Sequence, residues 1–382
     1  MVIIDEPYAS DVLIKWLEES KEPVLDNAFA KKISETHKLN LISDTEAIKR
    51  VNAGESVYTN SENALAWLLE NTKNENRNRS IELFKDKAAM RKKLAALSPG
   101  FFYQELTKSE LADFDVTDIK LPVVLKPAVG FCSMGVYVIE NASDWDAALE
   151  DIAKSEAIWN ERYPQSVVDG ENYLLEGYLD GQEYAVDMYY DRDGKANILN
   201  ILRHDFASAD DTSDRLYITN HDIVDDTYDK FMDWLDSVNK VIGARDFPVH
   251  VEIRMKDDDI IPIEFNPLRF AGLGGTDISY HGLGFRTYEA YLKETPIDLK
   301  KLYAKHPDDT YSMSLLNPSV NADLSRPFDH DGLASRFSNV IGFCKFDANV
   351  TGSFGFLFLK TDRSTVDELD FILHSDLLEF QM

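Results

Sequence analysis

Cysteine is nearly absent from this 382-residue chain, with Cys132 and Cys344 its only two. Two distant thiols make no disulfide framework and no zinc spacing, so a reducing compartment is expected. No apolar run approaches the ~20 residues that span a bilayer. The opening MVIIDEPYASD has neither the basic start nor the long apolar stretch of a secretory signal. A cytoplasmic protein without a membrane segment is the expectation. Positive charge is also scarce: 40 Lys and Arg stand against 68 Asp and Glu, for a formal net charge of −28. Nucleic acids and anionic membranes bind basic patches, so neither is an expected partner. An acidic exterior favours a cationic substrate, although ordinary solvation explains the excess with less. Internal repeats, low-complexity segments and a G-x-x-x-x-G-K-[ST] phosphate loop are all missing.

What is present suits a folded protein of two or three domains: 44% hydrophobic and 28% charged residues. Residues 1–78 alternate short apolar strands with amphipathic helices. Val2–Ile4 reads as a strand, and Asp11–Glu19 places Val12, Leu13, Trp16 and Leu17 on one helical face. PVLDNAF, LNLISD and SVYTN read as further strands and Glu62–Glu70 as a helix, together a small open α/β sheet. Lys73–Ser80 (KNENRNRS) is polar and reads as a boundary. A charged helical pattern runs from Ile81 to Ala96 and ends at LSPG. Strands are then expected at Leu121–Leu125, Val136–Ile139, Tyr173–Leu175 and Glu183–Tyr190, with a helix at Asp144–Ala153. Thr227–Ile242 is strongly amphipathic, with Phe231, Leu235, Val238 and Ile242 three or four residues apart. Two strands (Asn339–Phe346 and Phe354–Leu359) and a helix from Thr365 follow.

The segment richest in chemistry is HVEIRMKDDDIIPIEFNPLRFAGLGG, His250 to Gly275. Two strand-like pieces flank the acidic turn Lys256–Asp259, and alternation puts Glu264 and Asn266 on one face. If the pieces pair as a hairpin, Glu252 joins them. The resulting oxygen set suits a hard divalent cation, most naturally magnesium carrying a nucleotide's phosphates. An acidic hairpin with a solvated turn explains the same residues without a metal. In LPVVLKPAVGFCSMGVYVI, Leu121 to Ile139, Lys126 precedes a loop holding Gly130, Ser133 and Gly135. Glycine lets backbone amides approach a phosphate, serine adds a hydroxyl donor and lysine a point charge. In NYLLEGYLDGQEYAVDMYY, Asn172 to Tyr190, the strand edge at Leu175–Leu179 suits an adenine, and Glu183 suits ribose hydroxyls. Each of these two segments, taken alone, is an ordinary hairpin.

Their order is more specific. Asp86-Lys87 on a helix, then K-P-x-x-G-x-x-S-x-G, E-G-Y-L-x-G-x-E and E…E-x-N-P, resembles the ATP-grasp superfamily of carboxylate–amine ligases over roughly residues 81–290. The resemblance implies an α/β ATP-grasp fold: an N-terminal open α/β (pre-ATP-grasp) domain at 1–78, a two-lobed nucleotide- and metal-binding region at 79–295, and C-terminal elements at 296–382 closing the substrate side. The small lobe is placed at about 115–183 and the large lobe at 184–295. ATP and magnesium, with manganese as the alternative, are the implied cofactors. Lys87 and Lys126 would hold ATP phosphates, with the Gly130–Gly135 loop and Ser133 folded over them. Glu176, Tyr178 and Leu179 would meet adenine at the interlobe hinge, and Glu183 the ribose. Gly177 stands where several members carry lysine, which removes one polar contact to adenine. Glu252, Glu264 and Asn266 would hold one or two metal ions. Many members have arginine directly after N-P or N-T. Here Leu268 intervenes, and Arg269 would stabilise an acyl phosphate or clamp the substrate carboxylate, with Lys126 as the other catalytic cation.

The implied chemistry activates a carboxylate as an acyl phosphate and couples it to an amine, releasing ADP and phosphate. Small carboxylates and amines, amino acids or short peptides, are the expected substrates, and a homodimer is common in the superfamily. Two alternatives stand beside this reading. One is an ATP-grasp enzyme with a non-amine acceptor, against which no biotin-attachment, coenzyme A or phosphohistidine element is visible. The other is a nucleotide-binding regulatory or scaffold protein, which predicts lost phosphate lysines or metal ligands, and none is lost. Arg203 and His204 in ILRHDF and His250 beside Glu252 are balanced between site and packing, and Arg254, on the same face as Glu252, is expected to pair with a ligand carboxylate rather than touch substrate. His281 in SYHGLGF weighs toward packing. Cys132 lies in the phosphate loop without a Cys–His–Asn arrangement that would make it a nucleophile.

Overall fold

The computed structural model describes residues 1–129, 135–162, 171–208, 211 and 213–382, without the side chains of 155–162. Strands β1 (Val2–Ile3), β2 (Pro23–Leu25), β3 (Asn40–Ile42) and β4 (Tyr58–Thr59) form a parallel sheet in the order β3-β2-β1-β4. Helix Asp11–Ser20 is capped by Ser10, whose hydroxyl accepts the Leu13 amide at 3.2 Å. It buries Leu13, Ile14, Trp16 and Leu17. Ile14 thus takes the core position that spacing assigned to Val12, which is only half-buried.

The polar stretch Lys73–Ser80 is not an irregular connection. Helix Glu75–Lys85 starts inside it, capped by Asn74, and Arg77 is only 1% exposed, 3.7 Å from Asp246. Its polarity reflects a helix cap and a buried guanidinium, which a composition reading takes for a linker. The pattern expected over 81–96 is also two helices rather than one. Asp86 breaks it, accepting the Ala89 amide as the cap of helix Lys87–Leu94.

A small antiparallel sheet contains β5 (Tyr103–Thr107), β6 (Val123–Pro127), β7 (Tyr137–Ile139) and β8 (Asn172–Gly177), in the order β5-β8-β6-β7. Helix Ala142–Arg162 packs on it through Trp145, Ala148 and Ile152. A large antiparallel sheet contains β9 (Gln182–Tyr190), β10 (Ala196–Asp205), β11 (Leu216–Asn220), β12 (Phe247–Lys256), β13 (Asp259–Pro267), β14 (Thr310–Leu315), β15 (Val340–Lys345) and β16 (Gly355–Thr361). Its order is β13-β12-β9-β10-β11-β14-β16-β15. Strands β14–β16, beyond residue 296, therefore continue this sheet. Helix His221–Ile242 buries Phe231, Leu235, Val238 and Ile242 in the main core and ends at Gly243, whose φ of 75° closes the helix in the left-handed region.

Strands β8 and β9 are consecutive but lie in different sheets, so the segment Asn172–Tyr190 is not a hairpin. Residues 178–181 pass from one sheet to the other. No helix among the described residues is long and apolar enough to cross a membrane.

Candidate active site

Strands β12 and β13 do pair as a hairpin, with Glu252 opposite Glu264 and His250 opposite Asn266. Alternation sends Val251, Ile253 and Phe265 into the core, where Phe265 stacks on Phe84 with ring centroids 4.6 Å apart. The polar side chains then face the opposite side together. The Asn266 amide nitrogen donates to Glu264 Oε1 at 3.0 Å and to Glu252 Oε1 at 3.5 Å, bridging both carboxylates. Lys87 Nζ lies 2.7 Å from Glu264 Oε2. Burial pushes the Glu264 carboxyl up, but the Lys87 ammonium, Asn266 and Arg269 outweigh it and hold it at about 2. Burial also raises Glu252, and there the charges of Glu264, Asp214 and Glu183 add to the rise, so it lies well above the usual carboxylate range. Among the described residues no group of three His, Cys, Asp or Glu side chains forms a ready metal cage. The donor set is instead a pair of carboxylates with the Asn266 amide, and its oxygen faces inward when the amide turns over. This set fits a hard divalent cation, which would relieve the repulsion that raises Glu252.

Lys126 is next to the end of β6, and Glu176 lies on the neighbouring β8, opposite Val124. Lys126 Nζ is 2.5 Å from Glu176 Oε1 and 3.4 Å from the Ile263 carbonyl of β13. Arg91 Nε donates to Glu176 Oε2 at 2.8 Å, and its Nη2 donates to the Pro262 carbonyl at 2.6 Å. All three side chains are buried. Burial lowers the Lys126 ammonium, with Glu176 pulling it back. Burial raises Glu176, and the two cations reverse that and hold it below its ordinary value. The Glu176 carboxylate is therefore engaged by Lys126 and Arg91. The backbone beyond it crosses between the two sheets, where Tyr178 N donates to the Pro122 carbonyl and the Leu179 carbonyl accepts Arg254 Nη1 at 2.6 Å.

Glu183 is the second residue of β9. It accepts from Arg254 Nε at 2.9 Å, and His204 Nδ1 lies 2.9 Å away. The other His204 nitrogen is 3.0 Å from the Ser213 carbonyl, and the ring stacks on Tyr217 with centroids 4.2 Å apart. Arg254 thus pairs with Glu183 and with neither hairpin acid, while Arg203 pairs with Asp205 at 2.7 Å. His281 packs on Phe358 and Gly342, and burial lowers its basicity, as an interior histidine. Gly135 has a φ of 68°, while Gly130, Cys132 and Ser133 lie outside the described residues.

Arg269 is aimed by its neighbour. Leu268 is fully buried with a φ of 58°, a conformation that costs a bulky residue of order 1–3 kcal/mol. The turn is held by Leu268 N on the Pro248 carbonyl and by Thr59 N on the Leu268 carbonyl, both at 2.8 Å. The residue inserted before Arg269 therefore directs the guanidinium toward the N-terminal sheet. There its Nη2 and Nε donate to Glu62 Oε1 at 2.8 and 3.1 Å, and Lys85 holds Glu62 Oε2. Burial raises Glu62, and the charges of Arg269 and Lys85 bring it back below its ordinary value. Glu62, Lys85 and Arg91 carried no sequence signal beyond charge, and neither did Asp187. Asp187 is fully buried and accepts from Ala271 N, Thr276 Oγ1 and Asn200, with His250 Nδ1 2.7 Å away.

Glu176 where the two sheets meet, Lys87, Lys126 and the E-x-N hairpin stand together, in the order of the motifs. Residues 119–277 match the ATP-grasp domain family. The chain carries an ATP-grasp domain. Similar solved structures agree in fold along nearly the whole chain. An L-amino acid ligase from Bacillus licheniformis aligns with TM-score 0.70 and 17% identity, covering 97% of this chain and 95% of that one. Biotin carboxylase from Campylobacter jejuni, complexed with β-γ-ATP, gives 0.65 and 13%, covering 97% and 94%. N5-carboxyaminoimidazole synthase from Aspergillus clavatus, complexed with ADP and 5-aminoimidazole ribonucleotide, gives 0.62 and 17%, covering 99% and 97%. At these identities the likeness of the ATP-grasp fold is one of architecture. In sequence, the uncharacterized protein y4rH of Sinorhizobium fredii (strain NBRC 101917 / NGR234) is 26% identical over 196 residues, half of this chain. The chain spans 38% of that relative's length.

Proposed function

We propose that this chain is an ATP-dependent carboxylate–amine ligase working through an acyl phosphate in a cytoplasmic setting, with small carboxylates and amines as substrates. The observation that carries the reading is the convergence of Lys87 on Glu264 beside Glu252 and Asn266, with the charge of Arg269 reaching the same acids. In this reading Lys87 and Lys126 hold phosphates, the 178–181 hinge takes the adenine and Glu183 the ribose. Magnesium held by Glu252, Glu264 and Asn266 would supply charge neutralisation on the transferring phosphoryl group. A substrate carboxylate oxygen bonds to the γ-phosphorus as the bond to ADP breaks. An amine then forms the C–N bond, phosphate leaves, and the amine gives up a proton. Arg269 neutralises charge that grows on the carboxylate and the leaving phosphate. The side chains work by position and charge, and no covalent nucleophile is required.

The test is a hydroxylamine trap with ATP, magnesium and pooled amino acids and small carboxylic acids. Hydroxamate with ADP is the expected product, and splitting the pools identifies the acid. Hydroxamate with AMP would mean adenylation and would overturn the acyl-phosphate step. Two variants follow from the geometry. Arg269→Ala is expected to lower kcat by about 10²–10³-fold with little change in nucleotide affinity, and retained turnover would remove its assigned role. Glu183→Gln is expected to weaken ATP binding by about 10–100-fold, the ~1.5–3 kcal/mol of one charged hydrogen bond. Titration calorimetry reads this directly, and unchanged affinity would take Glu183 out of the ribose site.

A further inference from the structure

His250, Glu252, Glu264 and Asn266 occupy the corners of one patch on a single face of the β12–β13 hairpin. Directly opposed residues in such a pair stand ~5 Å apart at Cβ and diagonal ones ~7–8 Å, so one ion above the centre is within side-chain reach of all of them. The proposed metal site uses Glu252, Glu264 and Asn266, and the last corner is His250. Its ring is set by its surroundings. Nδ1 lies 2.7 Å from Asp187 Oδ1, and Asp187 also accepts from Ala271 N at 2.8 Å, Thr276 Oγ1 at 2.7 Å and Asn200 Nδ2 at 3.0 Å. An acceptor held by that many donors assigns the ring proton to Nδ1 and leaves Nε2 pointing at the acid pair.

His250 Nε2 is 3.7 Å from Glu252 Oε1. That is too long for a hydrogen bond. It fits two ligands of one ion, because donors each about 2.1 Å from a metal stand about 3.0 Å apart at a right angle and about 4.2 Å apart in line. A ring whose far nitrogen is anchored on a buried carboxylate, and whose near nitrogen faces carboxylates, has the second shell of a metal-bound histidine. In the described arrangement the Asn266 amide nitrogen fills the centre of the patch.

Resting on the metal reading above, we infer that His250 Nε2 is a further ligand of the ion held by Glu252, Glu264 and Asn266. A nitrogen donor shifts the site's preference from magnesium toward manganese or another first-row divalent ion, since magnesium favours an all-oxygen shell.

The experiment is pulsed EPR on the full chain carrying 15N-histidine, loaded with Mn2+ and unlabelled ADP so that the adenine nitrogens stay 14N. The expected spectrum shows a directly bound 15N. This coupling disappears in His250→Gln, which binds Mn2+ about 10–100-fold more weakly while Mg2+ affinity changes less. It also disappears in labelled Glu264→Gln, a control that leaves the His250 ring untouched. Mn2+ binding that depends on Glu264 without any 15N coupling overturns the His250 assignment and leaves the oxygen site standing. Mn2+ binding indifferent to Glu264→Gln overturns the metal site itself.

Discussion

Glu264→Gln is expected to lower turnover by about 10³-fold, or about 4 kcal/mol of transition-state stabilisation at 1.36 kcal/mol per tenfold. The chain should fold as before. Glutamine is isosteric, and its amide oxygen can still accept from Lys87, which lies 2.7 Å from Glu264 Oε2. Only the charge is removed, and charge is what the proposed metal site needs. Burial and the charges of Glu264, Asp214 and Glu183 already strain Glu252 upward, so the pair is poised to be neutralised by a cation. A single carboxylate beside Lys87 no longer needs one. Steady-state ADP release with a magnesium titration reads the effect, and circular dichroism checks the fold. A loss smaller than tenfold, with unaltered magnesium dependence, would remove Glu264 from the metal site.

The largest stability effect is expected at Glu176. Glu176 is 2% exposed and lies between Lys126 and Arg91, which are also buried. Glu176→Gln leaves two interior cations facing a neutral amide, and breaking a buried pair this way costs about 3–5 kcal/mol. The same group predicts a pH dependence. Its folded pKa lies below the ordinary carboxylate value, so its contribution is complete above about 4.3, the unfolded range, and is lost as pH falls through the folded value. Denaturant melts from pH 7 downward should therefore show acid loss in the wild type and a flatter curve for Glu176→Gln. Equal midpoints at pH 7 would mean that water reaches the cluster and screens it.

The sequence made the strands with apolar alternation legible, and the motif order carried the architecture. The hairpin that presents Glu252, Glu264 and Asn266 could be read because period-two patterning and an acidic turn coincide there. Other elements were hidden for physical reasons. Strand β14 carries Ser312 and Ser314 fully buried, and serines read as loop from composition. Helix Glu75–Lys85 begins in a stretch whose asparagines and arginines look like a linker until Arg77 is seen inside. Within the site, Lys87 and Lys126 were placed by motif. Glu62, Arg91 and Asp187, which hold Arg269, Glu176 and His250, were not, because they come from elements distant in sequence. The role of Leu268 was also invisible, since a left-handed leucine is recognised only from its backbone.

The passage of the chain between sheets at residues 178–181 has a thermodynamic consequence. In the proposed reading a nucleotide lying across these residues would touch both sheets at once and act as a reversible crosslink. Free energy of binding would then appear as free energy of coupling between the two sheets. Without nucleotide, calorimetry should resolve melting of the small sheet from that of the large one. With saturating ADP the two transitions should merge into one, whose midpoint rises with ligand concentration.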